Sequence, residues 1–586
     1  MELVDIEKEI HQECFVLDHQ NQDFVCIEEG GINKFQDLSI IDDYGISHSF
    51  APGGPPPLPI GLINPNFDPY SNRFVQVNPI FVWPLGPGLN PVLFKMELQR
   101  SLTLAKFLAG EGLIASKEEE MRRRNVIDKL KQIVTKWIKR VAYQRQLPKN
   151  HIRSASATIL TYGSYGLGVH NSESDIDALC IGPSFATLSE DFFIALHDIL
   201  VSRPEVSDMH CIKDAKVPLM RFKFEGILID LPYAQLKVKS VPEDVDIFNP
   251  YFLRNIDETS WKSLSGVRAN KSLLLLVPNV ERFQSLLRCV KLWAKRRGVY
   301  GNLLGYFGGI HLAVLVAFVC QRNSSAMLSA LVCNFYKTFT SWIWPTPVIL
   351  EDGITRSFIQ IETRSLIPIQ LPCNPYEYCH SNITRSTFFR IQTEFHRGFM
   401  ITKNILRTDF SWSLLFEPFP YSKSYWWFVK ISLSASNGDD LRDWVGWAKS
   451  RFRCLLLKLE ELEGFCDPNP TEYVDADVWE PNVVFYWGLQ HSRRNKIDVK
   501  SVEEDFRNNI ASGNQGSSGR IELSVVRASQ LPKNAQWNTG KRSSKQCWRV
   551  LPKEQPPRKQ VYSDDMPQYE DKSETSGDSD CPISVG

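Results

Sequence analysis

The stretch Thr158-Ile-Leu-Thr-Tyr162-Gly163-Ser164-Tyr165-Gly166-Leu167-Gly168-Val169, followed by Asp175-Ile176-Asp177-Ala178-Leu179-Cys180-Ile181, decides the fold. An apolar strand enters a glycine-serine turn, whose glycines let main-chain N–H groups and a hydroxyl face a phosphate. Gly-Ser alone is a weak signal. A strand puts alternate side chains on one face, so Asp175 and Asp177 project together while Ile176 points into the core. Paired carboxylates on one face are a hard-oxygen site suited to Mg²⁺. The ordinary explanation of a lone Asp-x-Asp is a solvated turn or strand end, so the surrounding sequence has to decide.

Downstream, Val217-Pro-Leu-Met-Arg-Phe-Lys-Phe-Glu225-Gly226-Ile-Leu-Ile-Asp230-Leu231 reads as two strands joined by a tight Glu-Gly turn. Asp230 stands at the far end of an otherwise apolar run. A buried, unpaired carboxylate costs several kcal/mol, so it asks for a cation or a strong hydrogen-bond partner. Three convergent carboxylates can hold two Mg²⁺ ions, one activating an attacking hydroxyl and one steadying a triphosphate and its leaving pyrophosphate.

Working outward, Leu98, Leu102, Leu104, Ala105 and Leu108 form the apolar stripe of a helix starting at Val92, and a second, basic helix runs from Glu118 to Gln144. The usual explanation of the charge set of the second helix, Arg122 to Arg124 included, is a solvated face, with a phosphate contact as the minority reading. One helix is expected from Ser189 to Leu200 within a mixed α/β segment. Mostly helical sequence follows from Phe283 to Leu371, and strands and helices mix again from Thr387 to Leu531. Before about Asn78 the chain lacks periodicity and carries Ala51-Pro-Gly-Gly-Pro-Pro-Pro-Leu-Pro59, which reads as a flexible extension. After Pro532 it turns polar, the composition of a disordered tail.

The whole chain has 586 residues, with 67 Lys+Arg against 67 Asp+Glu, so a uniformly basic nucleic-acid coat is excluded and any polyanion must meet local patches. That length predicts about three or four domains. Thirteen cysteines without a Cys-x-x-Cys pair fit reduced thiols in an intracellular compartment; Cys373, Cys379 and His380 lack zinc spacing. The acidic start has no secretory character. The longest apolar stretch, Ile310 to Cys320, is about half the roughly 20 residues of a membrane-spanning helix, so no membrane partner is expected.

The order Gly-Ser, Asp-Ile-Asp and a third Asp in Ile-Leu-Ile-Asp resembles the polymerase-β-like nucleotidyltransferase superfamily. The fuller wording resembles the eukaryotic nuclear-type poly(A) polymerases, in a plant-like version. Leu276-Val-Pro-Asn279, Lys291-Leu-Trp-Ala-Lys-Arg296, Tyr300-Gly-Asn-Leu-Leu-Gly305, Gly308-Gly-Ile310 and Trp342-Ile-Trp-Pro-Thr-Pro-Val348 are similar to that family's central domain, and Leu441-Arg-Asp-Trp-Val-Gly446 is a weaker likeness. The resemblance covers roughly Val92 to Leu531.

It implies an α+β protein: a flexible extension (1–80), a polymerase-β-like nucleotidyltransferase domain (81–240), a helical central nucleotide-binding domain (241–372), an RRM-like RNA-binding domain (373–533) and a disordered tail (534–586). The implied activity is template-independent transfer of AMP from ATP to an RNA 3′ end, with Asp175, Asp177 and Asp230 as catalytic residues holding two Mg²⁺ ions. Mn²⁺, with a similar oxygen preference, is the alternative metal. By the same carry-over Lys291 meets the triphosphate, Tyr300 and Asn302 line the nucleotide pocket, Tyr162, Gly163 and Ser164 lie against ATP, and Gly309 and Ile310 approach the base or ribose. Closure of the cleft between the catalytic and central domains is expected to assemble the site.

From the residues themselves, Phe283, Leu286, Leu287, Val290 and Ala294 stripe one face of a helix whose other face carries Arg288, Lys291 and Lys295. His311 is expected to be packed or at the surface rather than base-selecting. Tyr425 to Ile431 and Val483 to Leu489 read as strands, and Leu441, Trp444, Val445, Ala448 and Phe452 stripe a helix ending near Gly464. No RNP-type motif is present. Two positions depart from the family: Gly166 where Arg is usual, and Ser265 where Asn is usual. The metal triad does not choose a base, so a terminal uridylyltransferase is a second reading, and an inert RNA-binding scaffold a third. The resemblance further implies a monomer, cleavage and polyadenylation factors as partners and the nucleus as location; with only Lys541-Arg542 and Arg558-Lys559 as an import signal, the cytoplasm stays open.

Overall fold

The computed structural model describes residues 91–351, 365–373, 376–490, 499–511 and 519–532, with five short strand segments between 15 and 74. The proline-rich run and the tail beyond 532 lie outside the described residues. Within the extension three short strands, Phe15–Leu17, Phe24–Glu28 and Gly31–Asn33, pair antiparallel, as do Phe67–Asp68 and Arg73–Phe74.

Helix α1 (Pro91–Gly110) leads into α2 (Lys117–Gln144), whose N-terminus is capped by Ser116 accepting from Glu119 N at 3.2 Å. On α1 the buried pair is Leu104 and Leu108; Ala105, expected inside, is exposed, and Phe107 takes its place by stacking on Phe416 at 5.0 Å. On α2, Val126, Leu130, Val134, Trp137 and Val141 recur at helical spacing and are buried against the first sheet's core. Arg123 is not on a solvated face as expected: it is 1% exposed, bonded to Glu119 Oε1 at 2.9 Å and to the Ser172 carbonyl at 2.9 Å.

Five strands form that sheet: β1 (Thr158–Tyr162), β2 (Ile176–Gly182), β3 (Val206–Ile212), β4 (Leu219–Phe224) and β5 (Ile227–Gln235), in the order β1-β2-β5-β4-β3. Only β2 and β5 run parallel. The helical stretch expected from Ser189 to Leu200 is observed as Leu188–Leu196, wound as a π-helix, continuing as α-helix to Val201. The Glu225-Gly226 turn has φ of 49° and 79° at its two residues, as a two-residue hairpin turn needs. Strand β5 runs on to Gln235, so Asp230 is in mid-strand rather than at the strand's end.

The central layer is helical: α3 (Glu258–Leu276), α4 (Val280–Arg296), α5 (Gly309–Arg322) and α6 (Leu328–Thr340), with α7 (Arg385–Thr402) packed on α6. Phe283, Leu286, Leu287, Val290 and Ala294 of α4 are all at most 1% exposed, which is the expected stripe. No helix among the described residues is long and apolar enough to cross a membrane.

A second sheet follows. Strand β6 (Trp427–Ala435) is followed by helices α8 (Gly438–Ser450) and α9 (Phe452–Glu463), strands β7 (Cys466–Asp467) and β8 (Asn482–Leu489), helix α10 (Val499–Ala511) and strand β9 (Gly519–Arg527). The order β7-β8-β6-β9, all antiparallel, on a β-α-β-β-α-β plan with the first α made of two helices, is the RRM-like arrangement expected. Two local expectations differ. Strand β6 starts at Trp427 rather than Tyr425, because Tyr425 donates from Oη to Asp467 Oδ2 at 2.6 Å and Trp426 stands 84% exposed. The single helix expected up to Gly464 is broken at Arg451, and Gly464 (φ 78°) caps only the second half.

A buried ionic network joins this sheet to the central helices. Asp467 accepts from Tyr306 Oη, from Arg390 Nε at 2.9 Å and from Tyr425 Oη; Arg390 and Arg297 both pair with Glu394, at 3.1 and 2.8 Å. Asp467 is fully buried and Glu394 1% exposed, so each charge is balanced by the others.

Candidate active site

Strand register builds the site. Paired residues share a sheet face, and Tyr162 of β1 pairs Asp177 of β2, Asp177 pairs Asp230 of β5, and Asp230 pairs Arg221 of β4. These side chains therefore form one row across four strands, while Ile176 and Ile229, one residue off the row, are buried with 0% exposure. Asp175 precedes β2 and joins Asp177 by the two-residue period.

Gly163, just after Tyr162, has φ +63°, and a Cβ built there would stand 1.7 Å from Asp177 Oδ2. Glycine is thus what lets the turn close over the carboxylate. Its carbonyl accepts from Asn270 Nδ2 of α3 at 3.0 Å and from Leu167 N at 3.1 Å; Ser164, next in the same helical turn, closes it by accepting from Val169 N at 2.9 Å. From α4, Gln284 Nε2 donates to the Leu167 carbonyl at 3.0 Å and Arg288 to the Gly168 carbonyl. Arg288, in the expected basic line, is therefore spent on holding the turn.

Charge is crowded here. Burial, then Asp175 and Asp230, push the Asp177 carboxyl up to about 7; burial, then Asp230, raise Asp175. Burial, then the neighbouring Lys295, bring Lys291 down to about 8 against the pull of Asp175 and Asp177. Tyr300 and Tyr162 are raised by burial first and by these carboxylates second. Lys295 lies over the Tyr300 ring at 5.6 Å, and Gly309, at the start of α5, is open toward Tyr300 Oη, 3.5 Å from where a Cβ would be.

Tyr162, Gly163, Asp175, Asp177, Asp230, Lys291, Tyr300 and Gly309 are thus near one another. Ile310 is partly buried against the helical core. The Asn302 side chain is turned aside, its Oδ1 accepting from Asn382 N at 3.4 Å. His311 is buried, with Nδ1 accepting from Gly308 N at 2.9 Å, a packed residue as expected. At the two departures from the family wording, a Cβ on Gly166 would come 2.9 Å from the Thr161 carbonyl, so the turn has closed up where Arg is usual, and Ser265 Oγ donates locally to the Lys262 carbonyl at 2.7 Å.

Arg221 is the residue that reading the sequence missed. Its Nε and a terminal nitrogen donate to the two oxygens of Asp230 at 2.6 and 2.5 Å, and this bond raises the Arg221 pKa. The signal was present: a two-residue Glu-Gly turn fixes the pairing of the fourth residue before it with the fourth after it. Among the described residues no three acidic, His or Cys groups stand as a ready-made metal cluster. The donor set still fits hard divalent cations, because burial first and repulsion from Asp175 and Asp230 second push the Asp177 carboxyl up to about 7, a state that a bound cation would relieve. No disulfide is formed by the cysteines described, Cys373 and Cys379 included.

Comparison with known proteins bears on this geometry. The poly(A) polymerase nucleotidyltransferase domain family matches residues 95–277 and the poly(A) polymerase central domain family residues 282–418. The chain is 58% identical over 480 residues to nuclear poly(A) polymerase 3 of Arabidopsis thaliana, covering 81% of this chain and 94% of that protein. It is 39% identical to nuclear poly(A) polymerase 4 of the same plant, covering 74% of this chain and 61% of the relative. A solved structure of Cid1 poly(U) polymerase with MgGTP bound, 14% identical with a TM-score of 0.39, covers 55% of this chain and 99% of that one, a likeness too slight to carry argument. The aspartate row lies within the first matched domain and Lys291 and Tyr300 within the second, and on these matches the chain belongs to the poly(A) polymerase family.

Proposed function

We propose that this protein is a polynucleotide adenylyltransferase that adds AMP from ATP to RNA 3′ ends without a template, releasing pyrophosphate. The observation that carries the proposal is the row of Asp177 and Asp230, joined by Asp175, facing Lys291 and Tyr300 in a chain of this family. Asp175, Asp177 and Asp230 would hold two Mg²⁺ ions, or Mn²⁺. Bound there, the ions supply Lewis-acid stabilisation of the attacking and leaving oxygens.

The remaining work falls to the chain itself. Lys291, charged below about pH 8, offers its ammonium to the triphosphate, with Lys295 beside it adding positive potential where pyrophosphate charge develops. Gly163 brings main chain against Asp177, and the turn through Ser164, fixed by Asn270, Gln284 and Arg288, keeps its amides preorganised. Tyr162, Tyr300, Gly309 and Ile310 would border the nucleotide. Arg221 compensates the charge of Asp230 until cations arrive. The RNA strand would reach the site from the RRM-like sheet domain. Pre-mRNA substrates, cleavage and polyadenylation factors and a nuclear location extend the proposal by analogy with the relatives named nuclear poly(A) polymerases.

The test is extension of a labelled oligo(A) primer with Mg²⁺ and each nucleoside triphosphate supplied separately. Extension by ATP in preference to UTP, CTP and GTP is expected. Preferential extension by UTP would keep the two-metal chemistry and overturn the substrate.

A further inference from the structure

Helix α3 presents two faces to two environments. Gly266 lies against the Tyr162 ring and Asn270 bonds the catalytic turn. Trp261, Arg268, Ser272 and Leu275 lie about 180–240° around the helix from Gly266, at about 100° per residue. They line a groove of about 560 Å³ whose exposed lining residues are Pro250, Arg254 and Leu275, with Leu253 half-buried beside them. That volume is in the range of ligand sites, about 300–1,000 Å³.

Arg268 is what makes the groove more than an apolar crease. It is 5% exposed, its Nε is buried without a hydrogen-bond partner, and no described carboxylate lines the groove. Its guanidinium is packed 4.8 Å from the Trp261 ring and 5.8 Å from that of Phe248. Burial lowers its pKa, with Cys373 of the same lining pulling the other way. A guanidinium in this state is satisfied best by a carboxylate, which takes two of its N–H groups at once.

We propose that this groove binds an acidic-apolar peptide segment of a partner protein, with an Asp or Glu carboxylate on Arg268 and flanking bulky apolar side chains against Trp261, Leu253 and Leu275. RNA fits less well. Trp261 and Phe248 have the guanidinium over their rings, and of the exposed lining residues Pro250 and Leu275 are apolar, which leaves a base little beyond Tyr376 to stack on. Leu275, 76% exposed on one lip, is an uncovered apolar side chain of the kind a docked peptide covers.

The experiment needs neither ATP nor metal, so it is independent of the nucleotidyl-transfer proposal. Fluorescein-labelled, N-acetylated and C-amidated hexapeptides with Leu-Asp-Phe, Phe-Asp-Leu, Leu-Glu-Phe or Phe-Glu-Leu at the centre, each beside its Asn or Gln counterpart, are titrated with the full chain by anisotropy. At least one acidic peptide is expected to saturate and to bind about ten-fold tighter than its amide counterpart. Arg268→Gln removes that preference. Leu275→Glu, a lip substitution that leaves the core intact, weakens the acidic peptide about ten-fold while oligo(A) extension is unchanged. Equal binding of acid and amide, failure of every acidic peptide to saturate, unaltered binding by Leu275→Glu, or displacement of the peptide by oligo(A) would overturn the proposal, the last giving the groove to RNA.

Discussion

Replacing Lys291 by Met separates stability from function at one position. The side chain lies partly buried on α4, facing Asp175 and Asp177, and its pKa falls from 10.5 to about 8 because burial, helped by Lys295, disfavours the ammonium more than the carboxylates favour it. At 1.36 kcal/mol per unit, that fall is an upper bound of about 3 kcal/mol of strain in the charged folded state, and partial exposure reduces it to about 1–2 kcal/mol. The sign follows from linkage. A lysine whose folded pKa lies below its unfolded value costs stability in full below the folded pKa, and the cost fades as pH rises from about 8 toward 10.5. Lys291→Met, close in length and without charge, should therefore raise the urea midpoint at pH 7, with the advantage shrinking steadily by pH 9.5. It should also lower kcat/KM for ATP by about 10²-fold or more, since the triphosphate loses its cation. Stability is read by urea titration at pH 7, 8, 9 and 9.5, and kcat/KM by primer extension. A variant less stable than the parent at pH 7, or an advantage that does not change with pH, would refute the electrostatic reasoning.

Other outcomes follow from the same geometry. Arg221→Met leaves Asp230, 8% exposed, without its bidentate partner, and should cost about 1–3 kcal/mol in metal-free buffer, with Mg²⁺ restoring more of the thermal midpoint than it adds to the parent. A variant unaffected by removal of Mg²⁺ would disprove that compensation. Gly163→Ala puts a Cβ 1.7 Å from Asp177 Oδ2 at φ +63°, so activity should fall about 10²-fold or more while circular dichroism stays that of the parent. Retention of full activity would show that the turn need not close on the carboxylate. Asp467→Asn removes the charge that balances Arg390 at the junction of the helical and RRM-like layers, and about 3–5 kcal/mol of stability should be lost in a urea titration, a smaller loss than 1 kcal/mol arguing that the network is not coupled.

How far the sequence disclosed this architecture depended on whether the information was local. The strand-turn-strand around Gly163 and the Glu225-Gly226 hairpin were legible, because φ > 0 turns and period-two alternation are written in neighbouring residues. So was the α4 stripe, since its period is that of one helix. The role of Arg288 was not, because nothing in the spacing of the basic line Arg288, Lys291 and Lys295 points to the Gly168 carbonyl that Arg288 holds. Arg123 failed for the same reason: its partners Glu119 and Ser172 make a charged residue inside a basic run a buried one. The Asp467 network joins Arg297, Tyr306, Arg390, Glu394 and Tyr425 from distant parts of the chain, and no spacing rule reaches that far. Arg221 stands between these cases, deducible from hairpin arithmetic once the Glu225-Gly226 turn is placed, since the pairing of Arg221 with Asp230 follows from it. At Asn302 the family likeness implies a nucleotide contact, whereas the side chain accepts from Asn382 N, a partner no local spacing announces.

The most direct measurement is the time course of oligo(A) extension by ATP with Mg²⁺, run with the parent, Asp177→Ala and Asp230→Ala, after circular dichroism has shown all three to be folded. The account predicts long poly(A) from the parent and a loss of about 10³-fold or more in each variant, because each removes one member of the carboxylate row. Extension by either variant at a rate near that of the parent, or no extension by the parent with any nucleotide in Mg²⁺ or Mn²⁺, would contradict it.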